Sequence, residues 1–317
     1  MAYAPDERTA TLVEVANLYY EEGLTQREIA ERLSVSRSLI AQYLQQARDR
    51  GIVQIRVVNP QDACANLEMQ LRDQAGLDHV VVVPHGHRSA KLRRRAIASA
   101  GAKFLDEHLR DGDVLGLVWG RTVSRLVELL APTHPRDIEV VPLLGESKYV
   151  DSYTRMNELI LETASHFDAT PNFLLAPMIV ADSQLRDALM EDPAVSEVTR
   201  FWNRLSVACF GIGVLPPAAG QIPYVGEQYT KPLLEMGAVG DVCGFHHYGI
   251  DGQLLNTELL NRAIGVGAEQ LMNTPCRLAV AGGVSKTPGV VGGLRSGLIT
   301  SLIVDAELAQ SVLEELG

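Results

Sequence analysis

The chain has 317 residues, 46% of them hydrophobic and 21% charged, with a formal net charge of -11 at pH 7. That composition supplies a large core and excludes an intrinsically disordered chain, and the length favours two domains over one. The acidity also excludes a protein that coats nucleic acid in bulk, since bulk coating needs a basic surface. No apolar run is long enough for a membrane span, and the N-terminus MAYAPDERTATLVEV lacks the basic-then-apolar layout of a signal peptide. Cys64, Cys209, Cys243 and Cys276 are far apart with no C-x-x-C. A reduced, cytoplasmic compartment without a structural metal is therefore expected.

Taken in order, residues 5–22 read as a first helix, with Leu12, Val15, Ala16, Tyr19 and Tyr20 at helical spacing. Thr25 and Glu28 form a T-x-x-E capping box, so a second helix begins just after Thr25. Its apolar face is Ile29, Ala30 and Leu33. Ser34-Val35-Ser36 reads as a tight turn, with a serine hydroxyl placed to cap a third helix. At about 100° per residue, Leu39, Ile40, Tyr43, Leu44 and Ala47 fall on one side of that helix. Arg37, Ser38, Ala41, Gln42, Gln45 and Arg48 fall on the other. Forked donors, amides and hydroxyls around one small residue are the groups that read base edges and hold phosphates in a major groove. Gly51 ends the helix, and residues 52–58 (IVQIRVV) alternate as a β-wing does, with Arg56 in reach of a phosphate. Residues 1–58 are thus expected to form a winged helix-turn-helix, with Gln26, Ser36, Arg37, Ser38, Gln42, Gln45, Arg48 and Arg56 as its DNA contacts. Between Arg27 and Arg56 stand six arginines against three acids, a positive patch on an acidic body.

Asn59-Pro60 breaks the wing and opens a second domain, residues 59–317. Residues 60–77 read as a linker turning into a helix. Thereafter strands and helices alternate. Strands are expected at 80–84, 113–119, 138–144, 173–180, 207–213, 277–283 and 301–305, and a hairpin at 245–255 around Asp251-Gly252. Apolar strands separated by helices imply a largely parallel sheet covered on both faces. The helix from Ser89 to Leu109 starts with Lys91, Arg93, Arg94 and Arg95, which read as a solvated helix start rather than a second phosphate-binding surface.

In such sheets ligands lie beyond the carboxyl ends of the strands. Two strand-to-helix corners are marked by glycine followed by donors: Gly120-Arg121-Thr122, and Gly282-Gly283 with Lys286. As a pair they point to phosphate, although neither is the phosphate loop of nucleotide triphosphatases. Gly145, Glu146 and Asp241 also sit at strand ends, where a carboxylate accepts sugar hydroxyls. Lys148 is a candidate imine former, the alternative being that these strand-end groups are ordinary caps and surface charges. His246 and His247 are adjacent on a strand and point to opposite faces, which argues against a shared metal. No base-plus-acid constellation stands out, so no catalytic residue, metal or cofactor is assigned.

The stretches at 16–57, GLVWGRTV (116–123), VVPLLG (140–145), AVGDVCG (238–244), NRAIGV (261–266) and VAGGVSK (280–286) together resemble the SorC, or SorC/DeoR-type, family of bacterial transcription regulators. The resemblance implies a sugar-isomerase-like Rossmann sensor that binds a phosphorylated sugar or polyol. It also implies tetramers, as dimers of dimers, on operator DNA, controlling a carbohydrate or polyol operon. Carried over by position, Gly120, Arg121, Thr122 and Lys286 would hold the phosphate, and Asn157 and Asp241 would meet the sugar. After VVPLLG many members continue with a second glycine, where this chain has Glu146. The alternatives are a sugar-phosphate isomerase-like enzyme fused to a DNA-binding module and a structural DNA-bridging protein, since fold alone does not decide function.

Overall fold

The computed structural model describes residues 7–53, 60–84, 89–147, 155–216 and 227–317. The chain divides into two compact units, residues 1–59 and 60–317.

In the first unit α1 spans Glu7–Tyr20, α2 Gln26–Arg32 and α3 Arg37–Asp49. The capping box starts α2: Glu28 N donates to Thr25 Oγ1 at 3.4 Å, and Thr25 N to Glu28 Oε2 at 2.7 Å. Ser36 caps α3 by accepting Leu39 N at 3.2 Å. Ile29, Ile40 and Leu44 meet Val15 and Leu18, while Ala47 meets Leu12 and Ala16. Tyr20, expected in this core, is 40% exposed, because helical spacing turns Leu18 inward in its place. Ile52 and Val53, the first residues of the expected wing, pack beside Leu12, Ala16 and Ala47. The rest of the wing, with Arg56, lies outside the described residues.

The second unit runs α4 (Pro60–Ala75), β1 (His79–Val83), α5 (Ala90–His108), β2 (Val114–Leu117), α6 (Arg121–Val127), β3 (Glu139–Pro142), α7 (Met156–Phe167) and β4 (Thr170–Pro171). It continues through α8 (Ser183–Glu191), α9 (Pro193–Thr199), β5 (Val207–Gly211), β6 (Gly213–Val214), α10 (Glu227–Glu235), β7 (Gly240–Val242) and β8 (His246–Tyr248). It closes with α11 (Glu258–Arg262), α12 (Ala268–Met272), β9 (Cys276–Val280), α13 (Thr287–Arg295), β10 (Ser301–Asp305) and α14 (Ala306–Leu316).

Seven strands form a parallel sheet in the order β1-β10-β9-β5-β2-β3-β4, in register at Val80↔Leu302, Phe210↔Ala279 and Leu117↔Cys209. Every residue of β10 and of β2 is buried. Successive strand residues face opposite ways, so helices cover both faces, as unbroken apolar runs require. Each such aliphatic side chain contributes about 1.5–3 kcal/mol by leaving water.

Two departures from the expected strands matter. Residues 173–180 alternate in burial, but among the described residues they form only isolated bridges, Glu146↔Pro177 and Ile179↔Ala263. Pro177 has no N–H to give a ladder, and Met178 N and Val180 N bond to Glu146 and Arg262 carbonyls instead. The short β4 lies just before this stretch. The second departure is a small antiparallel sheet, β6-β7-β8, that packs on α13. Beyond β8, Tyr248 bridges Leu254 across the Asp251-Gly252 turn.

Candidate functional site

A cavity of about 290 Å³ opens at the carboxyl ends of β2, β5 and β9. From β2 the chain leads to β3 and β4 on one side of the sheet, whereas from β5 it leads to β9 and β10 on the other. The β2–β5 junction is therefore a topological switch point, where diverging connections leave a crevice. Gly120, Arg121 and Thr122 line it after β2, Gly211 at the end of β5, Gly213 at the start of β6, and Gly282, Ser285 and Lys286 after β9. Asp241 comes from β7 of the small sheet.

Lys286 is half-buried, and its Nζ donates to the Ile212 carbonyl. Burial, reinforced by Arg121 and Arg94 and opposed by Asp241, pushes its pKa down to about 8. Asp241 accepts Gly244 N at 3.0 Å through Oδ1, and its Oδ2 lies where a side chain on Gly213 would stand. The cavity thus gathers several cations around one carboxylate. Such a wall stabilises an anion next to hydroxyl groups.

The other expected contacts lie elsewhere. Gly283 is buried, and its amide donates to Asp305 Oδ2 at 2.7 Å. Glu146 takes Met156 N at 3.1 Å and Asn157 N at 2.9 Å, which fixes the start of α7. Asn157 is in turn closed on Leu174, accepting its N–H at 3.1 Å and donating to its carbonyl at 3.2 Å. A Cβ on Gly145 would stand 2.6 Å from the Pro177 carbonyl carbon, so close backbone approach accounts for that glycine. None of these four lines the cavity. Lys148 lies outside the described residues. His246 and His247 are buried against the Val266 and Phe245 carbonyls at 2.8 and 3.2 Å. Burial lowers the pKa of both, to about 4 for His246.

On α3, Arg37, Ser38, Ala41, Gln42, Gln45 and Arg48 are all exposed, with Ile40, Leu44 and Ala47 buried opposite. Arg48 donates to Gln45 Oε1 at 2.7 Å and Gln45 to Asp49 Oδ1 at 2.8 Å. Ser36 and Ser38 share a hydrogen bond of 2.9 Å. Arg37 and Gln42 make no side-chain hydrogen bond among the described residues, which leaves their donors for a ligand. Gln26, at the first turn of α2, is half-exposed.

The family model described as "Putative sugar-binding domain" matches residues 59–314, and that described as "Sigma-70, region 4" matches residues 16–50. The structure is similar to that of the full-length sorbitol operon regulator SorC from Klebsiella pneumoniae, with a TM-score of 0.76, 27% identity, and coverage of 98% of this chain and 100% of that one. The chain belongs to the SorC family. Among its relatives is the deoxyribonucleoside regulator of Bacillus subtilis, 28% identical over 314 residues, 98% of this chain and 99% of that protein. A domain described as that of "a possible sugar-binding transcriptional regulator" from Arthrobacter aurescens TC1 superposes with a TM-score of 0.73 at 26% identity, over 81% of this chain and 100% of that one.

As a SorC-family member the chain is a transcriptional regulator with a helix-turn-helix and a sugar-binding domain. Against that assignment, one feature of the cavity went unread in the sequence. Ala90, Arg93, Arg94 and Ile97 form a stripe of α5 that faces the cavity, while Lys91 and Arg95 are exposed. The solvated reading therefore holds for two of the four basic residues. The signal was present as spacing, since positions 90, 93, 94 and 97 share one face, which a count of charges does not register.

Proposed function

We propose that the SorC-family chain reads an operator through the exposed face of α3 and binds a phosphorylated sugar or polyol in the cavity at the β2–β5 junction. Arg121, Thr122, Lys286 and Arg94 hold the phosphate, and Asp241 accepts sugar hydroxyls. Glu146 and Asn157 fix α7 rather than the ligand. The protein works in the cytoplasm as a dimer of dimers on a carbohydrate or polyol operon. Residues 1–58 serve as the DNA-binding domain and 59–317 as the sensor.

The observation that carries this reading is the convergence of Lys286, Arg121 and Arg94 on one half-enclosed space with a single carboxylate. A cavity of about 290 Å³ is at the small end for ligand sites, which suits a monosaccharide phosphate better than a nucleotide. Among the described residues no helix is long and apolar enough to cross a membrane.

A thermal-shift panel of sugar and polyol phosphates tests the reading, because a ligand that binds only the native state raises the midpoint with its concentration. At least one phosphorylated compound should raise it, its unphosphorylated parent should not, and Lys286→Ala should abolish the shift. A full shift retained in Lys286→Ala would place the phosphate elsewhere. Turnover of a pentose or hexose phosphate by the purified protein would instead favour the isomerase-like reading.

A further inference from the structure

Arg93 lines the cavity but is held from outside it. Its Nε is 3.8 Å from Asp305 Oδ2, and its Nη1 is 3.8 Å from Glu307 Oε2. Neither distance is a hydrogen bond, and among the described residues the guanidinium donates none. A Cβ on Gly283 would meet Arg93 Nη2 at 2.8 Å, so the guanidinium lies against the glycine corner after β9.

The two acids differ in burial and in their place relative to the cavity. Asp305 is buried, with Oδ2 taken by Gly283 N at 2.7 Å and Oδ1 by Leu308 N at 3.2 Å as the cap of α14. It is fixed. The Glu307 side chain is 50% exposed, stands on the first turn of α14 and does not line the cavity. Arg93 therefore pairs with one buried, doubly hydrogen-bonded carboxylate and one half-exposed carboxylate outside the cavity, and its forked donors remain available to a planar or tetrahedral anion.

We propose that Arg93 exchanges Glu307 for the anion bound in the cavity. Glu307 is then a built-in competitor that sets the concentration at which the site fills. This inference rests on the anion reading of the cavity. Because Glu307 belongs to α14, the exchange is felt at that helix, and α14 packs on α4, the helix that begins at Pro60. Occupancy acts on α14 only through this difference in contacts, as any ligand-driven shift requires.

The test is a calorimetric titration of the full-length protein with inorganic phosphate, alongside hydrogen exchange at the first-turn amides of α14. Wild-type protein should bind phosphate, and Lys286→Ala should lose it. Arg93→Gln should weaken binding about tenfold. Glu307→Gln should tighten it by about two- to fivefold, the scale of a half-exposed ion pair. In the Arg93→Gln/Glu307→Gln double variant the tightening should vanish, a coupling that simple removal of a nearby negative charge does not produce. Phosphate should also change exchange at Leu308 and Ala309 in the wild type and not in Arg93→Gln.

Absence of phosphate binding by the wild type would overturn the anion reading itself. Binding that is lost in Lys286→Ala but unchanged or weaker in Glu307→Gln would overturn the exchange alone. So would a tightening that persists in the double variant, or unchanged exchange at α14 on phosphate binding.

Discussion

Lys286 is a cation held where charge is disfavoured. With its pKa at about 8 rather than 10.5, it is charged at pH 7 and largely neutral at pH 9, whereas a bound phosphate stabilises the charged form. Phosphate affinity should accordingly fall as pH rises through about 8, and binding should take up a proton there. Calorimetry in buffers of different ionisation enthalpy should show near-zero uptake at pH 7 and uptake approaching one proton at pH 9, lost in Lys286→Arg. The empty protein should behave oppositely. Between about 8 and 10.5 the unfolded chain holds more protons than the folded one, so stability contributed by this residue rises with pH. Chemical denaturation against a Lys286→Met control checks that sign. Asp241 gives a second prediction. A methyl on Gly213 would occupy the place of Asp241 Oδ2, so Gly213→Ala should push the carboxylate out of the cavity. Discrimination between a sugar phosphate and inorganic phosphate should shrink by about tenfold, the scale of losing one charged hydrogen bond to a hydroxyl.

At the level of elements, the strand-to-helix corners after β2 and β9 were legible because glycine followed by donors at the end of an apolar run is a local pattern. The helix-turn-helix was legible for the same reason: its caps, turn and two-faced α3 lie within some thirty residues. What escaped was set by partners distant in sequence. The run 173–180 looks like a strand, but its hydrogen bonds go to Glu146 and Arg262, which nothing within the run specifies. Glu146 and Gly145 were expected near a ligand from their place at a strand end, and Asn157 from the family resemblance. The contacts they make are to the start of α7, to Leu174 and to the Pro177 backbone, all far from them in sequence. The small β6-β7-β8 sheet was hidden behind short, glycine-bearing strands. Its fit to α13 is testable. A Cβ on Gly292 would meet Gly249 O at 2.6 Å and Tyr248 Cδ2 at 2.8 Å, backbone and a fully buried ring that cannot both retreat. Gly292→Ala should destabilise the protein by about 1–3 kcal/mol in urea denaturation. It should also loosen Asp241, whose strand β7 lies against the same helix.

For the whole molecule the charge distribution sets how DNA is read. The chain carries -11, yet six arginines against three acids stand between Arg27 and Arg56, so long-range attraction is weak and affinity must come from contacts made at the exposed face of α3. Among the described residues the side-chain donors of Arg37 and Gln42 there are unbonded, and their removal should act on sequence rather than on fold. Arg37→Ala or Gln42→Ala should abolish a footprint at the promoter of the chain's own gene. Each should leave the thermal midpoint and the sugar-phosphate shift unchanged, because both side chains are exposed and belong to the unit that lacks the cavity. Specific affinity should also fall steeply with salt, at a slope set by the phosphates neutralised. If the effector binds the operator-competent and incompetent arrangements equally, it cannot regulate however tightly it binds. The same footprint titrated with the effector should therefore shift its midpoint by at least tenfold in wild type and by nothing in Lys286→Ala. A footprint that survives Arg37→Ala unchanged would remove α3 from the interface, and one indifferent to every sugar phosphate that raises the midpoint would separate the sensor from the switch.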